Sequence, residues 1–262
     1  MNLLKILLQR NKILTYAGSL FLIAAIALGI YSTMNSVSVL GINSMYKPIK
    51  FTLSTWIYSW TLAYLLFYVN NQQKVKWFSY LSVFVMVFEN SVIIVQAFKG
   101  NLSHFNQTDL VGGILYAFMG LLIVWLTTST LIITIRFIAQ KTYSISPAFA
   151  LSIKIGLIQF VIFSFFGGYM SVLNTHHVGG AMGQSGLPFL NWSTLYGDLR
   201  VAHFFGIHSL QIIPFAGYII TKTIKDESIA SKMVWLISLL YFLFISALAA
   251  QSIMGLPFLS IG

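Results

Sequence analysis

Long apolar runs, broken by short polar connections, make up most of the chain. Seven are long enough to cross a hydrocarbon core, which takes about 20 helical residues. They lie near residues 13–34, 48–69, 77–98, 111–137, 147–170, 199–221 and 233–257. Inside lipid each segment must satisfy its own backbone N–H and C=O groups, so these runs predict helices. The expected fold class is all-α: a polytopic membrane helical bundle of seven transmembrane helices, one domain over residues 1–262, with 171–198 as its longest connection. The first run continues from Ile13 to about Met34 without a small-residue cleavage site. It reads as an uncleaved span and not as a signal peptide.

Composition agrees with that pattern. Hydrophobic residues make up 58% of the chain and charged residues 8%, with a mean hydropathy of +0.84, far more apolar than a soluble domain. The net charge of +10 would suit a nucleic acid. However, the basic residues sit in connections, where topology accounts for them, so the expected partner is the lipid bilayer and no nucleic acid. Lys5, Arg10, Lys12, Lys74, Lys76, Arg136, Lys141, Lys222, Lys225 and Lys232 fall on one side of the seven-span arrangement; Lys47, Lys50, Lys99 and Arg200 fall on the other. By the positive-inside rule the N-terminus is cytoplasmic and the C-terminus extracytoplasmic. Oligomeric state is not legible in the chain.

Polar positions inside the apolar runs carry the functional signal, because an ionisable group in a spanning helix is costly and by default marks a site. In the sixth run His203, His208 and Gln211 fall at about −60°, +80° and +20° from Arg200, on one helical face. In the second run Lys47, Lys50, Ser54, Tyr58 and Thr61 share a face; in the third, Ser82, Glu89 and Gln96 recur every seven residues with Asn90 beside them. Glu89 and His208 come to similar depths, about 12 and 13 Å from the outer boundary. The expected site is one outward-facing polar cavity in which Lys50 and Glu89 meet Arg200, His203 and His208, with Ser54, Tyr58, Asn90, Gln96, Gln211 and Gln251 lining it. Lys47 is expected at the interface with its stem snorkelling outward. Lys154 either snorkels to the cytoplasmic boundary or pairs with a carboxylate. His104 reads as a solvated loop residue, Asp109 as the cap of the fourth span, and Pro214 as a kink beneath the polar cluster.

The chain has no cysteine, which excludes thiolate metal sites, iron–sulfur clusters and covalent haem. No lysine lies in 233–257, which excludes a retinal Schiff base in the last helix. Histidine is the remaining ligand type. His208, with His203 or with His176 and His177 of the long connection, is a candidate for haem b or a divalent metal ion. His203 and His208 lie about 140° apart on a straight helix, so they do not both ligate one iron. The first functional expectation is a redox or metal protein, with Glu89, His203 and His208 as cofactor-binding residues. The second is a proton-coupled transporter of a small anionic solute, with Glu89 and His208 titrating and Lys50 and Arg200 attracting the ligand. The third is a metal-dependent membrane enzyme, although no metalloprotease spacing is present. All three imply a small-molecule ligand.

The combination Phe88-Glu-Asn90 with Gln96-Ala97, Ser103-His-Phe-Asn106, and Gly197-Asp-Leu-Arg-Val-Ala-His-Phe-Phe-Gly-Ile-His208 with Gln211 and Pro214 resembles a set of bacterial inner-membrane proteins of no known activity. The likeness covers about residues 46 to 214. What the resemblance implies is a multi-pass protein of the bacterial cytoplasmic membrane. It carries over no catalytic residue.

Overall fold

The computed structural model describes residues 2–106, 110–181, 183 and 186–260. Asp109, the expected cap of the fourth span, lies outside them. The described residues are all-α apart from two short two-stranded ladders. Helices follow the apolar runs: α1 Leu3–Arg10, α2 Lys12–Ser32, α3 Tyr46–Leu65, α4 Gln72–Phe98, α5 Leu110–Ile138, α6 Pro147–Leu173, α7 Leu199–Ile207, α8 Ser209–Thr223 and α9 Glu227–Ile253. Strands β1 Ser38–Val39 and β2 Ile42–Asn43 pair with each other, as do β3 His177–Val178 and β4 Gly197–Asp198.

Five of these helices, α2, α4, α5, α6 and α9, are long and apolar enough to cross a membrane, and α7 with α8 makes a sixth bent by 42°. The sequence reading expects seven. The difference is α3, whose 20 residues include Lys47, Lys50 and a series of hydroxyl side chains. Large apolar side chains face outward along the spans, among them Trp77, Trp125, Trp235 and Leu110. In water such a surface would drive association; in lipid it is at home.

The chain divides into two compact units. The first comprises Met1–Phe67, Gln72–Leu126 and Met182–Asn191; the second comprises Tyr68–Asn71, Thr127–Ala181 and Trp192–Gly262. In the first, α1 is set apart from α2 by Asn11, whose side chain accepts from Leu14 N at 3.1 Å and donates to Ser79 Oγ of α4 at 2.8 Å. Arg10 anchors α1 to α3: its guanidinium lies 3.9 Å above the Tyr64 ring and donates to the Tyr64 carbonyl at 3.0 Å. Helices α2 and α3 approach closely because Gly18 leaves its place to the Trp60 ring.

Small residues do the same work in the second unit, where contact between apolar helices depends on close packing and not on the hydrophobic effect. Gly156 of α6 receives Pro214 of α8, Gly217 of α8 receives Ser152 of α6, and Gly206 of α7 receives Phe163 of α6. Ala148, Ile155, Ile213, Ile220, Ala230 and Val234 form the core beneath these contacts. The start of α9 is tied to α6 by Glu227 Oε2, which accepts from Ala148 N at 3.2 Å. The bend of the sixth span falls at His208, between α7 and α8, and therefore within the polar stretch, upstream of Pro214. Lys154 reaches out of α6 to lie 4.6 Å from the Tyr143 ring.

Candidate functional site

The long connection between α6 and α7 is closed at its base by the β3–β4 ladder. Its antiparallel register sets His177 opposite Asp198 and Val178 opposite Gly197, and Leu199 N donates to His176 O at 2.9 Å. Side chains directly opposite on one face of such a pair have Cβ atoms about 5 Å apart. The ladder thus joins residues from the two ends of the connection. His176, His177 and Asp198 each present one ligand-type atom, all within 4.8 Å of one another, the only such group of three among the described residues. His176 Nδ1 lies 3.8 Å from Asp198 Oδ1, and His177 Nε2 lies 3.6 Å from Asp198 Oδ2. The two rings are perpendicular at 4.3 Å. Asp198 and His177 are buried, and His176 is half-buried.

Asp198 organises its surroundings. It caps α7 by accepting from Arg200 N at 3.1 Å, and it takes the Arg200 side chain on both oxygens, Nε at 2.9 Å and an η-nitrogen at 2.6 Å. Ser193 N donates to Oδ2 at 3.0 Å. Burial alone would raise the pKa of this carboxyl. Hydrogen bonds and charge from Arg200 outweigh burial and hold it well below the usual carboxylate range. Its main-chain carbonyl accepts from Ser252 Oγ at 3.1 Å. Gly197 beside it leaves no room for a Cβ, which would collide with the Ser252 carbonyl at the end of α9. Gln251, the residue before Ser252, donates to Pro257 O at 2.6 Å and fixes the segment after α9.

The tautomer of His177 follows from its other nitrogen. Nδ1 lies 3.1 Å from Ala181 O, and a carbonyl only accepts, so Nδ1 carries the proton. In the neutral ring Nε2 then presents a lone pair toward Asp198. It has no hydrogen-bond partner among the described residues. A lone pair facing a carboxylate oxygen at 3.6 Å is unfavourable; a second proton on the ring or a metal cation between the two relieves it.

The remaining expected site residues divide between the units. In the second, His203 Nδ1 donates to Phe163 O at 2.8 Å with its imidazole edge laid against Gly167. His208 at the bend meets Gln211 Oε1 at 3.2 Å and the Phe204 ring at 4.4 Å. In the first, Lys50 Nζ donates to Leu190 O at 2.9 Å, Asn90 donates to Thr55 Oγ1 at 3.0 Å, and Tyr58, Glu89 and Gln96 are buried while Ser54 is half-buried. His104, expected in solvent, is instead half-buried, its ring 5.6 Å from Phe51 and 6.0 Å from Tyr116. Lys47 is half-buried with its ammonium 5.8 Å from the Phe51 ring.

Sequence reasoning missed Asp198 as a partner of the histidine pair. The local signal was an aspartate at the head of a helix, which reads as a cap. Its second role depends on a ladder between distant residues that no local pattern announces. No family model matches the chain, and no curated protein or solved structure is significantly similar to it.

Proposed function

We propose that this polytopic membrane protein binds a divalent metal ion through His176, His177 and Asp198 and acts through that ion. The observation that carries the reading is the orientation of His177: protonated on the nitrogen that meets Ala181 O, it offers its other lone pair to Asp198. A metal-bound histidine characteristically donates its second ring N–H to a carbonyl or carboxylate in this way. The spacing agrees. A shared proton would draw nitrogen and oxygen to about 2.8 Å, whereas two ligands on one tetrahedral ion, with bonds of about 2.0–2.2 Å, stand roughly 3.3–3.5 Å apart. The separations of 3.6 and 3.8 Å run to the two different oxygens of Asp198, and one ligand atom from each residue lies within 4.8 Å of the others, so an ion would draw the group together by about 1 Å.

Two imidazoles and a carboxylate, with no thiolate, suit zinc and the neighbouring cobalt and nickel ions. Three protein ligands leave a fourth position for water or substrate, the arrangement of catalytic rather than structural sites. That supports a metal-dependent enzyme more than a haem b protein, because the His203 ring lies against α6 at Gly167 and His208 is engaged by Gln211 and the Phe204 ring. Counting α3 and the bent α7–α8 pair as spans gives seven. With the lysines and arginines distributed as above, the N-terminus is cytoplasmic and the metal site lies on the outer side of a bacterial inner membrane.

The test is titration of chelator-treated protein with zinc by calorimetry. One ion per chain is expected, with affinity reduced about 100-fold or more in His177→Ala and in Asp198→Asn. Absence of saturable binding, or variants that bind as well as the parent, would overturn the reading.

A further inference from the structure

Within the first unit a second set of ionisable groups stands apart from the metal ligands. Glu89 sits midway along α4, is 4% exposed, and is the sole carboxyl side chain among the described residues of this unit. Its Oε1 has no hydrogen-bond partner among the described residues, and neither do Ser82 Oγ, Asn90 Oδ1 and Gln96 Oε1 of the same helix. Buried polar atoms left in this state are costly, so four on one helix call for an account. Three are carbonyl or carboxyl oxygens, which only accept when the carboxyl is ionised. The Glu89 oxygen lacks a donor, and a proton taken up by the carboxyl removes the charge that makes that lack most costly.

The electrostatics point the same way. An ionised carboxylate buried without compensation is strongly disfavoured, so the group either takes up a proton or relies on a nearby cation. Lys47, from the start of α3, has its ammonium 5.8 Å from the Phe51 ring, which packs against the cluster holding Val92 and Ile93 of α4, one turn beyond Glu89, and lies 5.6 Å from the His104 ring; its charge acts on both Glu89 and His104. From the other surrounding elements, α3 also brings Lys50, which bonds Leu190 O. The connection after α4 brings Lys99 and His104, and α5 brings Tyr116. Helix α2 has Lys12 at its first residue together with Tyr16 and Tyr31. Burial and the Lys47 charge push His104 well below its ordinary range, leaving it neutral. Its Nδ1 is 3.2 Å from Ser103 Oγ.

We propose that Glu89 is a reversible proton-binding site in the spanning part of the first unit, alternating between a neutral carboxylic acid and a carboxylate balanced by Lys47. The exchange is balanced in itself: the carboxylate gains one proton from water on loading and returns it on release. It does not depend on the metal reading.

Infrared difference spectroscopy of the full chain in lipid nanodiscs, stepped through pH, tests it. A protonated-carboxyl C=O band should grow on acidification, shift in heavy water, vanish in Glu89→Gln and change frequency in Glu89→Asp. In Lys47→Met its midpoint should move up by about one to three pH units, as removal of an adjacent cation requires, whereas Lys47→Arg should leave it near the parent value. A band that never titrates, one that persists in Glu89→Gln, or a midpoint unmoved in Lys47→Met would overturn the proposal. Loss of folding in one glutamate variant leaves the other and the lysine pair to decide.

Discussion

His177 donates its Nδ1 proton to the carbonyl oxygen of Ala181 at 3.1 Å, and that bond selects the nitrogen turned toward Asp198. The partner lies just beyond β3, so orientation of the ring is local, while the carboxylate it faces arrives from the far end of the connection through the β3–β4 register. Rigid local orientation combined with a non-local partner is what a preorganised ligand site needs.

Gly197 should be intolerant of any side chain. A Cβ there would strike the carbonyl oxygen of Ser252, which is backbone at the end of α9 and has no rotamer to escape into. Gly197→Ala should destabilise the protein by about 1–3 kcal/mol and weaken zinc binding, because Asp198 moves with its neighbour. Thermal unfolding in detergent and a zinc titration on the same preparation check both effects.

On the proposed metal site, Arg200 would compete with the ion for Asp198. Each carboxylate oxygen already accepts two hydrogen bonds, one of them from the guanidinium, so a metal must displace part of the Arg200 contact. Charge-assisted bonds of this kind are worth about 1.5–3 kcal/mol. Arg200→Met should therefore tighten metal binding by about 10-fold or more, as read by competition with a chromophoric chelator. Unchanged or weaker affinity would show that the guanidinium supports the site and does not compete for it.

The helices were legible in the sequence because lipid imposes a length and an apolarity that no other environment requires: six of the seven runs each hold one long helix and the sixth run holds the bent pair α7 and α8. Ser82, Glu89 and Gln96 recur every seven residues and are all buried, as a shared helical face demands. The bend at His208 was expected near Pro214 and lies upstream, since local sequence fixes that a helix breaks better than where. The amphipathic α1 was hidden in a short basic segment. His104 was read as solvated because nothing beside it in sequence predicts Phe51 and Tyr116 as neighbours. The Asp198 cluster was out of reach for the same reason: its ligands are brought together by register, not by spacing.

His104 makes the stability of the first unit sensitive to mild acid. Its pKa in the folded protein lies below the ordinary value, so the neutral ring is favoured on folding. The corresponding stabilisation is complete above the unfolded value of about 6.5 and is lost as pH falls from there toward the folded pKa. His104→Gln should flatten this part of the profile. Melting temperatures of parent and variant in detergent, followed from about pH 7.5 to 5 across that window, measure the difference.

The central claim is that one metal ion sits between two histidines and an aspartate, and X-ray absorption at the zinc edge of the loaded protein in nanodiscs reads that shell directly. The expected spectrum shows a four-coordinate ion with nitrogen and oxygen neighbours at about 2.0–2.2 Å. Outer-shell imidazole scattering should correspond to two rings, falling to one in His177→Ala. A six-coordinate, water-dominated shell without imidazole scattering, or a spectrum unchanged in His177→Ala, would contradict it.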